Sequence, residues 1–345
     1  MTNEELIGKS IINRDGERGV VVGIDDQKRI EIQYETRLAT YIPDAFYKGF
    51  VKFTADEDNQ KIKMEWLIKN KDKLSLRLER YLTELNELVG LANIKETVRD
   101  LTCQLKVAKL RDAYGLKVPE ITKHMVFSGN PGTGKTTVAR IIAKIYNALG
   151  VLSKGQLVEV DRSSLVAGYQ GQTAMKTKDV VKSALGGVLF IDEAYSLCRD
   201  DDDDFGLEAL DTLTKEIEDH RDDLVVIVAG YKKEMKKFLN SNPGLKSRFK
   251  TFINFDDYSG DELYQILKNF LKSNDYSLSK SADEKVLEFF HKHDSLQGNG
   301  RTVRNVFEEI IRYQSRRLDG LAEVSKRMLV TIKSEDLKGL HSLAI

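Results

Sequence analysis

The sequence predicts an α/β protein built on a parallel sheet, with a small β-barrel-like domain before it and a helical domain after it. Three observations lead there. Period-2 alternation of apolar residues is confined to about residues 8–53. Fully apolar runs then alternate with amphipathic helical stretches. Beyond about residue 258 only helical periodicity remains. The 345 residues suffice for more than one domain, at roughly 100 to 200 residues each.

In the first segment RGVVVGI, KRIEIQY, RLATY and GFVKF are separated by the turn-like DDQ and ET and by a longer stretch containing Pro43. Strands so short and closely spaced suggest an SH3-like barrel. Between about 60 and 88, Ile62, Trp66, Leu67, Leu74, Leu78, Tyr81 and Leu82 recur among Lys and Glu, which predicts a connecting helical segment. MVFSG, QLVEV, GVLFI and LVVIVAG then read as strands. The helix from Thr137 to Leu149 puts Val138, Ile141, Ile142, Ile145 and Leu149 on one face, and Gly150 can end it. In the tail, DELYQILKNFLK, DEKVLEFFHKH and VRNVFEEIIRYQSRRL are helical. His291 and His293 read as exposed residues at a helix end. There is no internal repeat. The run Asp200 to Asp204 reads as a solvated loop, with a negatively charged second pore loop as the alternative once the resemblance below is considered.

Composition narrows the function classes. Lys+Arg and Asp+Glu both number 54, so no net field favours nucleic acid or an anionic membrane. Hydrophobic residues make up 41% and charged residues 31%, a globular balance. Cys103 and Cys198 lie far apart, outside any zinc-like spacing, and read as reduced structural thiols. The amino terminus, MTNEELIGKS, lacks a basic segment leading into an apolar run, and no stretch is as long and apolar as a membrane span. A cytoplasmic protein is expected.

Gly129 to Thr136, GNPGTGKT, fits G-x-x-x-x-G-K-[ST] between a strand and a helix, the setting that gives the motif meaning. Gly129, Asn130, Pro131, Gly132, Thr133 and Gly134 form a loop whose N–H groups can converge on phosphate oxygens, and Thr137 lies in the turn that follows. Lys135 neutralises the β and γ phosphates of ATP, and Thr136 offers a hydroxyl to Mg²⁺. GVLFIDEAY ends an apolar strand with Asp192 and Glu193, where a parallel sheet places ligand-binding groups. Asp192 can hold Mg²⁺ through water, and Glu193 can polarise the attacking water. A pair that merely caps the next helix is the weaker reading.

The words GNPGTGKTTVAR, GVLFIDEAYSL, DDLVVIVAGYKKEM, NPGLKSRF and GNGRTVRN, in this order and spacing, resemble the AAA+ ATPases. More narrowly they resemble the branch of the red-type Rubisco activase CbbX and the stage V sporulation protein K. The resemblance runs from about Leu85 to near 320 and implies a P-loop AAA+ sheet with a helical lid, in a homo-oligomeric ring, commonly a hexamer. The division that results is 1–58 all-β, 59–84 helical linker, 85–256 nucleotide-binding domain and 257–345 lid.

The resemblance also implies roles for single residues. Arg248 matches the arginine finger that reaches a neighbour's γ-phosphate. Arg301 matches the sensor 2 arginine, with Arg304, one turn on, as the rival. Tyr231 stands where many relatives carry an Asn or Thr that positions water, so the sensor 1 role stays unassigned. In LVAGYQGQTA a tyrosine between glycines would by itself suggest a turn with its ring on the core. In this family the segment is a pore loop, so Tyr169, Gln170 and Gly171 are expected to grip polypeptide. A protein-remodelling motor that recruits its client through the amino-terminal domain is therefore expected. A nucleic-acid motor is the alternative, disfavoured by net neutrality and by the lack of a basic, aromatic-interleaved stripe.

Overall fold

The structure is a computed structural model that describes residues 6–24, 29–41, 51–54, 75–169, 171–198, 204–292 and 298–343. Strands β1 (Ser10–Asn13), β2 (Arg18–Ile24), β3 (Ile30–Tyr34), β4 (Leu38–Tyr41) and β5 (Val51–Phe53) form an antiparallel sheet in the order β4-β3-β2-β1-β5. Its inward residues, including Ile11, Val21, Ile32, Val51 and Phe53, make a separate small core. Strand β1 was not among the expected strands. Its inward position is taken by Asn13, which interrupts the apolar alternation, accepts from the Glu17 backbone N–H at 2.9 Å and donates to the Glu17 carboxylate at 2.8 Å.

Of the expected linker helix, residues up to 74 lie outside the described residues, and residues 75–86 are helical. Leu78 and Leu85 bury themselves against the central domain. Helix α1 (Ala92–Ala113) follows, then β6 (Met125–Gly129), α2 (Lys135–Ala148), β7 (Leu157–Val160), α3 (Arg162–Leu165) and α4 (Gln172–Ala184). Next come β8 (Val188–Ile191), a 3₁₀ turn at Ala194–Cys198, α5 (Asp204–Asp219), β9 (Val225–Gly230), α6 (Lys232–Ser241), α7 (Pro243–Arg248) and β10 (Thr251–Phe255). These strands form one parallel sheet in the order β10-β6-β9-β8-β7.

Every residue of β8 and β9 is buried, as a sheet covered on both faces requires. Successive side chains divide between two cores. Phe127, Phe190 and Ile227 join α2 on one face, while Val126, Ile191 and Val228 join α5 and α6 on the other.

The last domain contains α8 (Gly260–Ser273), α9 (Lys280–Lys292), α10 (Gly300–Asp319) and α11 (Lys326–Val330) around its own core. A capping box opens α8, with Ser259 and Glu262 each accepting from the other's backbone N–H. The domain is not purely helical. Residues Ser277–Leu278 (β11) pair in parallel with Thr331–Ile332 (β12), strands too short to leave a periodic signal. Among the described residues no helix is long and apolar enough to cross a membrane.

Candidate active site

Strand β6 lies between β10 and β9, and β8 lies beyond β9, so the loops after β6, β8 and β9 open at one end of the sheet. That end of a parallel sheet is where ligands bind. The loop from Gly129 to Gly134 can follow its path because Gly129 and Gly132 take φ of 155° and 76°. A Cβ on Gly129 would lie 2.3 Å from the Phe255 carbonyl, and one on Gly132 would lie 2.2 Å from the Gly298 carbonyl.

Lys135 Nζ donates to the carbonyls of Gly129 at 2.9 Å and Asn130 at 2.7 Å. Burial pushes this ammonium below the ordinary lysine range. The nearby Asp192 carboxylate opposes that shift and the Arg301 charge adds to it. The hydroxyls of Thr133 and Thr136 donate to the Asn130 carbonyl at 2.8 Å and to Glu159 Oε1 at 3.4 Å.

Asp192 donates its backbone N–H to the Val160 carbonyl at the end of β7, while its carboxylate accepts from the Glu193 N–H at 3.0 Å. Glu193 stands at φ 48°, a left-handed conformation rare for a side chain of this size.

These groups line one cavity of about 690 Å³, within the range of roughly 300 to 1,000 Å³ usual for small-molecule sites. Its apolar lining includes Leu88, Leu91, Ile266 and Phe270, surfaces of the kind that take a purine ring, and its polar lining includes Lys135, Thr136, Asp192, Glu193, Arg301 and Arg304. Among the described residues neither arginine side chain makes a hydrogen bond or ion pair, so both guanidiniums are available to an anion. A nucleoside triphosphate fits this lining. Thr136 and Asp192 offer hard oxygens that could hold a Mg²⁺, Asp192 through water.

Gly129, Pro131, Gly132, Gly134 and Thr137 also line the cavity, whereas Asn130 and Thr133 brace the loop from behind. Tyr231 reaches the rim and pairs with the Tyr195 ring at 6.1 Å. Arg248 is elsewhere. It ends α7, donates to the Gly244 carbonyl at 2.9 Å and lies 3.3 Å from Glu218 Oε2. Tyr169 is 74% exposed between α3 and α4, Gln170 lies outside the described residues, and Gly171, at φ 79°, caps α4. Of the histidine pair, His291 is half exposed and pairs with Asp261 at 2.7 Å, and His293 lies outside the described residues.

Sequence reasoning missed Tyr258, Asp257 and Asn299, which the structure brings against the phosphate loop. The Tyr258 hydroxyl donates to the Thr133 carbonyl at 3.2 Å, and burial raises it to about 12. The available signal was GNG, a break in an otherwise helical pattern with a side chain at its centre.

Comparison with known proteins agrees with this arrangement. The family model for the ATPase family associated with various cellular activities matches residues 125–257, and that for the AAA lid domain matches 259–342. The stage V sporulation protein K of Bacillus subtilis (strain 168) is 46% identical over 259 residues, covering 74% of this chain and 80% of the relative. The chloroplastic ribulose bisphosphate carboxylase/oxygenase activase of Cyanidioschyzon merolae (strain NIES-3377 / 10D) is 42% identical over 267 residues, covering 76% and 91%. Among solved structures, the FIGL-1 AAA domain in complex with ADP superposes with a TM-score of 0.55 at 20% identity, covering 75% of this chain and 83% of that one.

Proposed function

Because this chain belongs to the AAA family of ATPases, of the type that includes the stage V sporulation protein K and the red-type Rubisco activases, we propose that it is a cytoplasmic, ring-forming motor that couples ATP hydrolysis to remodelling of a protein client. The observation that carries the reading is Tyr169. A large ring is 74% exposed on the loop between α3 and α4, two residues before Gly171, a glycine of positive φ. Such a ring gives sequence-tolerant grip on an extended polypeptide, and six of them around a central channel would act in succession.

In this reading Lys135 and the N–H groups of the phosphate loop hold the β and γ phosphates. Thr136 and Asp192 would hold Mg²⁺, which when bound would supply positive charge beside the phosphates. Glu193 takes the proton of the attacking water, and Arg301 and Arg304 neutralise charge on the γ-phosphate from the lid side. Arg248 lies outside its own subunit's cavity, which supports a role on the nucleotide of a neighbouring subunit. The amino-terminal β-domain recruits the client. Its sheet ends in two unpaired edges among the described residues, β4 and β5.

The test is the ATPase rate of wild type and Tyr169→Ala with unfolded proteins, cytosolic extract or single-stranded DNA. Protein is expected to stimulate the wild type, and Tyr169→Ala is expected to lose that response. Stimulation by DNA alone, or a normal response from Tyr169→Ala, would overturn the proposal.

A further inference from the structure

The middle residue of Gly298-Asn299-Gly300 has the backbone of a glycine and the side chain of an asparagine. Asn299 takes φ 52° and ψ −123°, which glycine adopts readily and other residues rarely do. A side chain held in such a conformation calls for a reason. The position is 2% exposed, and the amide is satisfied at both ends. Asn299 Nδ2 donates to Asp257 Oδ1 at 2.7 Å and to the Pro131 carbonyl at 3.4 Å, while Oδ1 accepts from the Tyr258 N–H at 2.9 Å.

The other bonds in the region join the same two parts of the protein. Asn130 Nδ2 donates to both oxygens of Asp257, at 3.0 and 2.8 Å. The Gly300 N–H donates to the Gly132 carbonyl at 3.0 Å, and the Tyr258 hydroxyl donates to the Thr133 carbonyl. Four consecutive residues of the phosphate loop, Asn130 to Thr133, are thus each bonded either to residues 257–258, between β10 and α8, or to the start of α10. Arg301 and Arg304 lie in the first turns of that helix and point into the nucleotide cavity.

We propose that Asn299 is a positioning residue which, with Asp257, couples the lid to the phosphate loop, so that the placement of Arg301 and Arg304 and the grip on nucleotide change together. This rests on the reading of the cavity as an ATP site and adds to it a device that the arginines alone do not supply. Asparagine is required because the position needs a donor toward a carboxylate and an acceptor toward an N–H on one short, uncharged side chain. Aspartate would place a second carboxylate against Asp257. Alanine would keep the unfavourable backbone and lose every bond.

Glycine separates the two effects, since Asn299→Gly relaxes the backbone while removing the amide. The experiment compares wild type, Asn299→Gly and the exchanged pair Asn299→Asp with Asp257→Asn. It measures binding of ADP by fluorescent-nucleotide titration, and hydrogen exchange at the start of α10 with and without saturating ADP.

Asn299→Gly is expected to melt near the wild-type temperature, to bind ADP about tenfold more weakly, a typical coupling between linked sites, and to lose the protection that ADP gives α10. The exchanged pair is expected to recover part of both, because it restores one donor facing one carboxylate. Wild-type affinity together with wild-type protection in Asn299→Gly would overturn the proposal. So would recovery of stability without recovery of ADP affinity in the exchanged pair, should Asn299→Gly fold poorly. A wild type that binds no ADP would bring down the ATP-site reading as well, which distinguishes the two failures.

Discussion

Glu193 holds a left-handed backbone at the end of a strand buried on both faces, a conformation that costs on the order of 1 to 3 kcal/mol and tends to be kept where function over-determines it. The Asp192 carboxylate accepts its N–H, and its carbonyl accepts from the Ser196 N–H at 2.8 Å, so the turn is closed on both sides. Glu193→Gln preserves shape and hydrogen bonding but removes the base. Phosphate release is expected to fall by roughly a hundredfold or more, while nucleotide binding persists. Unchanged turnover would remove Glu193 from its role. Lys135, Thr136, Asp192 and Glu193 were all legible in the sequence because contiguous motifs carry them. The choice between Arg301 and Arg304 was not. Residues three apart share a helix face, and the structure brings both into the cavity.

At the scale of elements, His124 joins two strands. It precedes β6, its Nδ1 accepts from the Val226 N–H of β9 at 3.0 Å, and its ring lies 5.9 Å from that of Phe249. Burial depresses it from 6.5 to about 4, with the Lys123 and Arg248 charges adding to the effect. Below pH 6.5 the unfolded chain takes up a proton that the folded chain refuses. Stability is therefore unaffected above that pH and declines from there down to about pH 4, by about 3 kcal/mol in all. His124→Asn keeps an acceptor for Val226 without a titrating ring. Its denaturation midpoint should fall less than that of wild type between pH 7 and pH 5, and equal declines would exclude His124 as the source. The apolar runs of β8 and β9 and the single apolar face of α2 made those elements readable. Strand β1 was hidden by the inward, hydrogen-bonded Asn13, and β11 and β12 are two residues each, shorter than any period.

For the whole molecule, the catalytic cavity draws on the phosphate loop at 129–136, the turn after β8 at 192–193 and the base of α10 at 300–304, far apart along the chain, and the sequence holds no measure of their approach. The bonds from Asp257 and Asn299 to the loop were invisible for that reason. Arg248 extends the question to the assembly. If it acts on a neighbour's nucleotide, mixing Arg248→Ala with wild type should depress ATPase activity more steeply than the wild-type fraction, because one defective subunit silences an adjacent site. A linear decline in a mixing titration would make action between subunits untenable.

Asp223, just before β9, accepts from the Ser153 N–H and hydroxyl at 2.9 and 2.8 Å and pairs with Arg14 at 2.9 Å. Arg14 directly follows β1, so this pair fastens the β-domain to the core at the end of the parallel sheet opposite the phosphates. Under the proposed function, a lid that turned about the segment between β10 and α8 would leave the β-domain behind as a stator, and a load hung on it would meet the central strands end-on, along their covalent backbone.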